Sequence, residues 1–212
     1  MKNITESTAS FEAWLRSQLE LYEPDLQVRH RKMAEDPFEF MRATFYRWAE
    51  VWPERCKALA NTHHVVGVGD LHIENFGTWR DRESRMIWGV NDFDEVNECA
   101  FTVDLVRLAV SVELAAQETQ LVDLTFDETC AAILTGYREG LASGGPAVCA
   151  GAPQCMAASA SKGSSQRAQS ILETLAGRKD RTNSLRSRIT SRASRGDAAA
   201  VPPWRHSSIP PN

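Results

Sequence analysis

The sequence predicts an α+β fold, mostly helical, in which a short β-hairpin carries two acidic loops and a disordered tail closes the chain. Three observations lead there. Bulky apolar residues recur at helical spacing in several segments before residue 145. Two short apolar runs, "HHVVGVGD" (63–70) and "RMIWGVNDFD" (85–94), each end in a turn rich in Asp and Asn. The chain then changes character. Residues 1–140 carry 14 Lys and Arg against 25 Asp and Glu, a net of −11, whereas residues 141–212 carry 10 against 3, a net of +7. All eight Phe and all three Tyr precede residue 141, and Leu, Ile and Val fill only 9 of the 72 positions that follow. So little apolar surface cannot offset the entropy of ordering a chain. The expected division is a domain over 1–145 and a Ser/Arg/Ala/Pro-rich tail over 146–212.

Taken in order, "SFEAWLRSQLELY" (10–22) places Phe11, Trp14, Leu15, Leu19 and Tyr22 on one helical stripe. "EDPFEFMRATFYRWAEVW" opens with Asp36 as N-cap, Pro37 at the first helical position and Glu39 three residues after the cap. Phe40, Phe45, Trp48 and Trp52 follow as bulky core side chains. The two strands come next, joined by "GTWRDRES" as a hairpin-like connection. "TVDLVRLAVSVELAAQE" (102–118) is a helix with Leu105, Leu108, Val112 and Ala115 on one face. "FDETCAAILTGYREGL" (126–141) is another, capped by Asp127, with Ile133, Leu134, Tyr137 and Leu141 turned inward.

Composition excludes several classes of protein. At 42% hydrophobic and 25% charged residues the chain is ordinary for a globular protein. No apolar run approaches the ~20 residues that span a bilayer. The N-terminus lacks the apolar core of a signal peptide, so a cytoplasmic setting is expected, with no membrane partner. Five cysteines, Cys56, Cys99, Cys130, Cys149 and Cys155, form no CxxC pair, which argues against a zinc ribbon. Their odd number argues against a closed disulfide framework, and Cys56 and Cys99 read as ordinary small core or surface residues. The pair His63–His64 lacks a cluster of partners and is expected to be solvated or half-buried.

The chemistry lies in the two turns. Phosphoryl transfer from a nucleotide needs a carboxylate to orient or deprotonate the attacking hydroxyl, and oxygen ligands to hold magnesium. In the kinase pattern the base Asp and a metal-binding Asn lie five residues apart on one loop, and a second Asp follows a strand with an aromatic residue directly after it. Here Asp70 and Asn75 are five apart, and Asp92 precedes Phe93 after "MIWGV". Gly, Asp and Asn are also the ordinary residues of turns, so each signal alone is weak; their joint order carries the weight. His72 reads either as a metal ligand, since D-x-H is a familiar ligand spacing, or as a histidine that anchors the loop by hydrogen bonds.

"GDLHIENFG" resembles the catalytic loop of the aminoglycoside phosphotransferase and choline kinase group, in the protein-kinase-like superfamily. The strings "KMAEDPFEFMRATFYRW", "VGVGDLHIENFGTW", "WGVNDFDEVNECAFTVDLVRLAVSVELAA" and "GYREGL" are more similar still to an uncharacterised bacterial family, the domain of unknown function 2252, over about residues 29–145. The resemblance implies a partial kinase-like catalytic lobe that uses magnesium and ATP on a small-molecule acceptor it does not identify. It implies Asp70 as catalytic base, Asn75 as metal-binding amide and Asp92 as the main magnesium carboxylate, with Asp94 or Glu95 as a second ligand. His72, Asp104 and Arg107 would brace the loops, the last two by ion pairing. Arg42 sits where the family has an Arg-Gly pair, but Ala43 replaces the glycine.

The chain also departs from the family. It has no glycine-rich strand-turn and no lysine of the kind that holds a nucleotide's phosphates, and ATP binding is therefore expected to suffer. The change of character near residue 145 is what a shifted reading frame would produce, an expectation that resequencing would remove if no shifted frame restored family-like sequence. Such a truncated chain is expected to have little or no kinase activity, and its last two helices to expose apolar faces that lower solubility. Two other readings stand beside the phosphotransferase. One is a metal-dependent hydrolase built on Asp70, His72, Asp92 and Asp94; the other is a non-catalytic module whose basic tail meets a polyanion. Nucleic acid is the less expected partner, because a shifted frame can be Arg-rich without purpose.

Overall fold

Helices dominate the residues that the computed structural model describes, which are 1–119, 125–144 and 148–149, and small antiparallel sheets complete a mostly helical α+β arrangement. Two compact units divide them. The first takes residues 1–70 and 95–104, and the second takes 71–94 and the described residues from 105 to 149. Apart from Val148–Cys149, which form a short strand, the expected disordered tail lies outside the described residues. No helix among them is long and apolar enough to cross a membrane.

The first unit begins with α1 (Ile4–Gln18), whose N-terminus is closed by a reciprocal pair: Asn3 accepts from the Glu6 N–H and Glu6 accepts from the Asn3 N–H, each at 2.9 Å. The helix stops before Leu19, so Leu19 and Tyr22 are not part of its stripe and lie 50% and 69% exposed. Just beyond, Pro24 stands in the first turn of α2 (Glu23–Glu35), where its missing N–H costs no helical hydrogen bond. Asp36 caps α3 (Pro37–Ala43), accepting from the Phe38 N–H at 2.7 Å and the Glu39 N–H at 3.4 Å. The aromatic run 37–55 is two helices, not one. Thr44 breaks it at φ −125°, ψ 39°, its hydroxyl donating back to the Phe40 carbonyl at 2.7 Å, and α4 (Phe45–Arg55) starts afresh. Phe38, Met41, Phe45, Tyr46 and Trp52 form the core with Leu26, while Phe40, expected inside, is on the surface side of α3. Phe11 stacks on Tyr46 at 4.3 Å between centroids, and Arg29 lies over Phe11 while donating to the Ala43 carbonyl.

After the short α5 (Lys57–Ala60), β1 (His64–Gly67) pairs antiparallel with β4 (Asn97–Ala100), from His64↔Ala100 to Gly67↔Asn97. In the second unit β2 (Phe76–Arg80) pairs with β3 (Met86–Val90), from Phe76↔Val90 to Arg80↔Met86, and β5 (Val148–Cys149) adds to β3. The hairpin therefore differs from the expected one. The two acidic runs do not pair with each other; "GTWR", read as part of the connection, forms a strand together with Phe76, with Phe, Thr and Trp favouring it, and only residues 81–85 turn. Asp81 builds that turn, accepting from the Glu83 and Arg85 N–H groups at 2.9 Å, with Ser84 at φ +62°.

Helix α6 (Thr102–Thr119) buries Val112 and Ala115 with Ala109 and Ala116. Helix α7 (Phe126–Ser143) is capped by Thr125, one turn-residue pair earlier than the expected Asp127, through a reciprocal bond with Glu128. Its expected inward face is not buried among the described residues: Leu134 is 45% and Leu141 67% exposed.

Candidate functional site

The first acidic turn, at 67–70 in the first unit, is made by what its backbone approaches. The Asp104 carboxylate, in the first turn of α6, accepts from the Val68 N–H at 2.7 Å and the Gly69 N–H at 2.9 Å. A carboxylate there also suits the partial positive charge of a helix N-terminus. Both glycines are required. A Cβ on Gly67 would stand 2.6 Å from the Cys99 sulfur and 3.0 Å from Asp104 Oδ2. Gly69 has φ +87°, and a Cβ there would stand 2.3 Å from the Glu95 carbonyl oxygen. Burial, with the Asp104 charge beside it, pushes the Cys99 thiol up to about 11, against a hydrogen bond from Gly67 that lowers it. Cys99 is thus a neutral packing thiol. Asp70, half-buried, ends this turn.

The second unit holds the rest of the loop. A 3₁₀ turn at Ile73–Asn75 carries Asn75, which is 2% exposed. Its amide oxygen accepts from the His72 N–H at 2.7 Å, and its own N–H donates to the His72 carbonyl at 3.0 Å. His72 is 1% exposed. The Ile73 N–H donates to the Ser111 hydroxyl of α6 at 2.9 Å. At the other strand of the hairpin, the Asn91 N–H donates to the Asn75 carbonyl at 3.0 Å, which continues the β2–β3 ladder past Phe76↔Val90. Asp92 follows directly and is half-buried; the Asp94 N–H lies 3.5 Å from its carboxylate, at the outer limit of a hydrogen bond. Asp94 is exposed, and so is Phe93. Arg107, 1% exposed, is among the most deeply buried side chains of the chain.

The ladder thus brings Asn75 and Asp92, 17 positions apart in sequence, to one end of a hairpin. Asp70, Glu95 and Asp104 belong to the first unit. An amide oxygen and a carboxylate are hard donors of the kind magnesium takes, and the ion commonly draws its remaining ligands from water and substrate phosphate. Among the described residues no group of three or more His, Cys, Asp or Glu side chains gathers to hold a metal ion. Ser111 was not expected from the sequence. Its signal was a polar residue set within the apolar stripe of α6, three positions after Leu108 and four before Ala115.

Compared with known proteins, the chain matches a family described as "Uncharacterized protein conserved in bacteria (DUF2252)" over residues 22–206. The match passes well beyond residue 145, so the family resemblance does not end where the composition changes, contrary to expectation. No curated protein and no solved structure matches the chain.

Proposed function

The chain belongs to this bacterial family, and on that premise we propose that it is the catalytic region of a magnesium-dependent, kinase-like phosphotransferase acting on a small molecule. The observation that supports this most is the hydrogen bond from the Asn91 N–H to the Asn75 carbonyl, which sets an amide and a carboxylate on adjoining ends of two paired strands. A kinase-like site needs just such a pair, because the phosphates of the nucleotide complete the ion's coordination. When bound, magnesium ATP would supply the transferable phosphoryl group and neutralise its charge.

The roles of this chain's own residues follow. Asp92 and the Asn75 amide oxygen hold the ion. The amide oxygen has a second lone pair beyond the one facing His72, so both tasks are compatible. Asp94, exposed two residues on, is the further carboxylate. Asp70, five residues before Asn75, accepts the proton of the attacking hydroxyl. His72 acts in the loop and not on the metal, its backbone N–H fixing the Asn75 amide. Since the chain carries no glycine-rich phosphate loop with a lysine, turnover is expected to be weak even where the ion binds.

Calorimetric titration of the full chain with ADP, with and without magnesium, tests the proposal. Binding that requires magnesium, disappears in Asp92→Ala and Asn75→Ala, and persists in Asp70→Asn is the expected result. Nucleotide binding indifferent to magnesium, or unchanged by Asp92→Ala, would overturn it.

A further inference from the structure

The 3₁₀ turn that presents Asn75 is fastened to α6 at one atom of a side chain with no exposed surface. Ser111 is 0% exposed, and its hydroxyl both donates and accepts: it donates to the Leu108 carbonyl at 2.7 Å and accepts from the Ile73 N–H at 2.9 Å. Ile73 is the first residue of the turn, and a first-turn N–H has no partner within its own helix. The hydroxyl is oriented for this role. A serine that donates backward to its own helix turns a lone pair outward, and that lone pair meets the loop.

From Ile73 the constraint passes along the chain in two steps. The residue before it, His72, gives its N–H to the Asn75 amide oxygen at 2.7 Å, and Asn75 returns its own N–H to the His72 carbonyl at 3.0 Å. Asn75 then accepts from Asn91, the residue before Asp92. Ser111, the His72–Asn75 exchange and the Asn91 bond form one continuous series ending at the two groups assigned to the metal.

We propose that Ser111 is a positioning residue: through the Ile73 N–H it sets the direction of the Asn75 amide oxygen, and so the affinity of the Asn75–Asp92 pair for a divalent ion. This inference rests on the phosphotransferase reading. It concerns a residue that touches neither ion nor substrate, and partners at that remove typically alter metal affinity by about tenfold or more.

The test uses the full chain and two variants. Ser111→Ala removes the hydroxyl while keeping a good helix residue, and Ser111→Thr restores it. Hydrogen exchange reports on the 72–76 amides, and Mn²⁺ titration followed by electron paramagnetic resonance reports on the ion, with Asp92→Ala as the reference for lost binding. The expected result is faster exchange at 72–76 in Ser111→Ala with α7 unchanged, a roughly tenfold weaker Mn²⁺ affinity, and recovery of both in Ser111→Thr. If exchange at 72–76 does not change in Ser111→Ala, Ser111 does not hold the turn and the inference is overturned. Faster exchange with unaltered Mn²⁺ affinity also overturns it, since the role is then structural only. Mn²⁺ binding in the wild type that Asp92→Ala does not remove would instead overturn the phosphotransferase reading, and this inference with it.

Discussion

The turn at 67–70 and the turn at 91–94 are both acidic and both follow a strand, yet they are held in different ways. The first is held by approach from a distance in sequence. A carboxylate 35 and 36 residues on takes two of its backbone N–H groups, and two glycines make room, Gly67 for that carboxylate and Gly69 for the Glu95 carbonyl. The second is held by its own neighbours: a regular ladder of five paired residues runs into it, and one more bond beyond the ladder fixes its start. A turn of the first kind depends on a few atoms in contact, so single substitutions should cost it heavily. A turn of the second kind shares its stability among many equivalent bonds, and a change in its hairpin should cost little.

The largest effect is therefore expected at Gly69. Gly69→Ala forces a Cβ to within 2.3 Å of a backbone carbonyl at φ +87° and should lower unfolding stability by about 3 kcal/mol, measured by denaturant titration. A loss below about 1 kcal/mol would show that the first turn gives way easily, and the contrast would fail. Next comes Asp104→Ala, which leaves the Val68 and Gly69 N–H groups without their charged acceptor and should cost about 2 kcal/mol.

The same change gives a second readout at Cys99. Burial is the larger cause of its raised pKa and the Asp104 charge the next, so the thiol of the variant should ionise below about 11 and react faster with iodoacetamide at pH 9. The sign of the linked stability is fixed. The folded chain holds this proton more tightly than the unfolded one, so the contribution is complete below the ordinary 9.0 and is lost as pH rises toward about 11. The smallest effect belongs to the hairpin. Ser84 sits at φ +62°, a conformation glycine adopts freely, and Ser84→Gly should stabilise by about 0.5 kcal/mol or leave stability unchanged. A loss comparable with that at Gly69 would mean the ladder does not protect its turn.

Much of the helical part was legible because its signals are local. The Asp36 cap and the Pro37 start are contained in three consecutive residues, and the 102–118 stripe in one heptad and a half. Local signals also misled where a single residue overrode the period. Thr44 splits the aromatic run, and the first helix stops at Gln18, short of Leu19 and Tyr22. Strand pairing was the least legible. Each strand of 63–70 and 85–94 was recognised, but "NECA" is short and polar, and nothing within it shows that it pairs with β1. The partner of a strand is chosen by closure of the whole chain, which leaves no mark on the strand itself.

For the candidate site, the sequence by itself determined the chemistry on offer: Asp70, Asn75, Asp92 and Asp94 carry side-chain oxygens whatever the fold does, and their order and spacing can be counted. Tertiary structure decided which of them adjoin and what holds them. Asn75 meets the start of the second turn because β2 pairs with β3, Asp104 reaches the backbone because no side chain stands at 67, and Ser111 anchors the turn from the middle of a helix. The reason is one of range. Charge and donor chemistry reside in single side chains, whereas a hydrogen bond between residues 38 apart exists only after the backbone between them has folded.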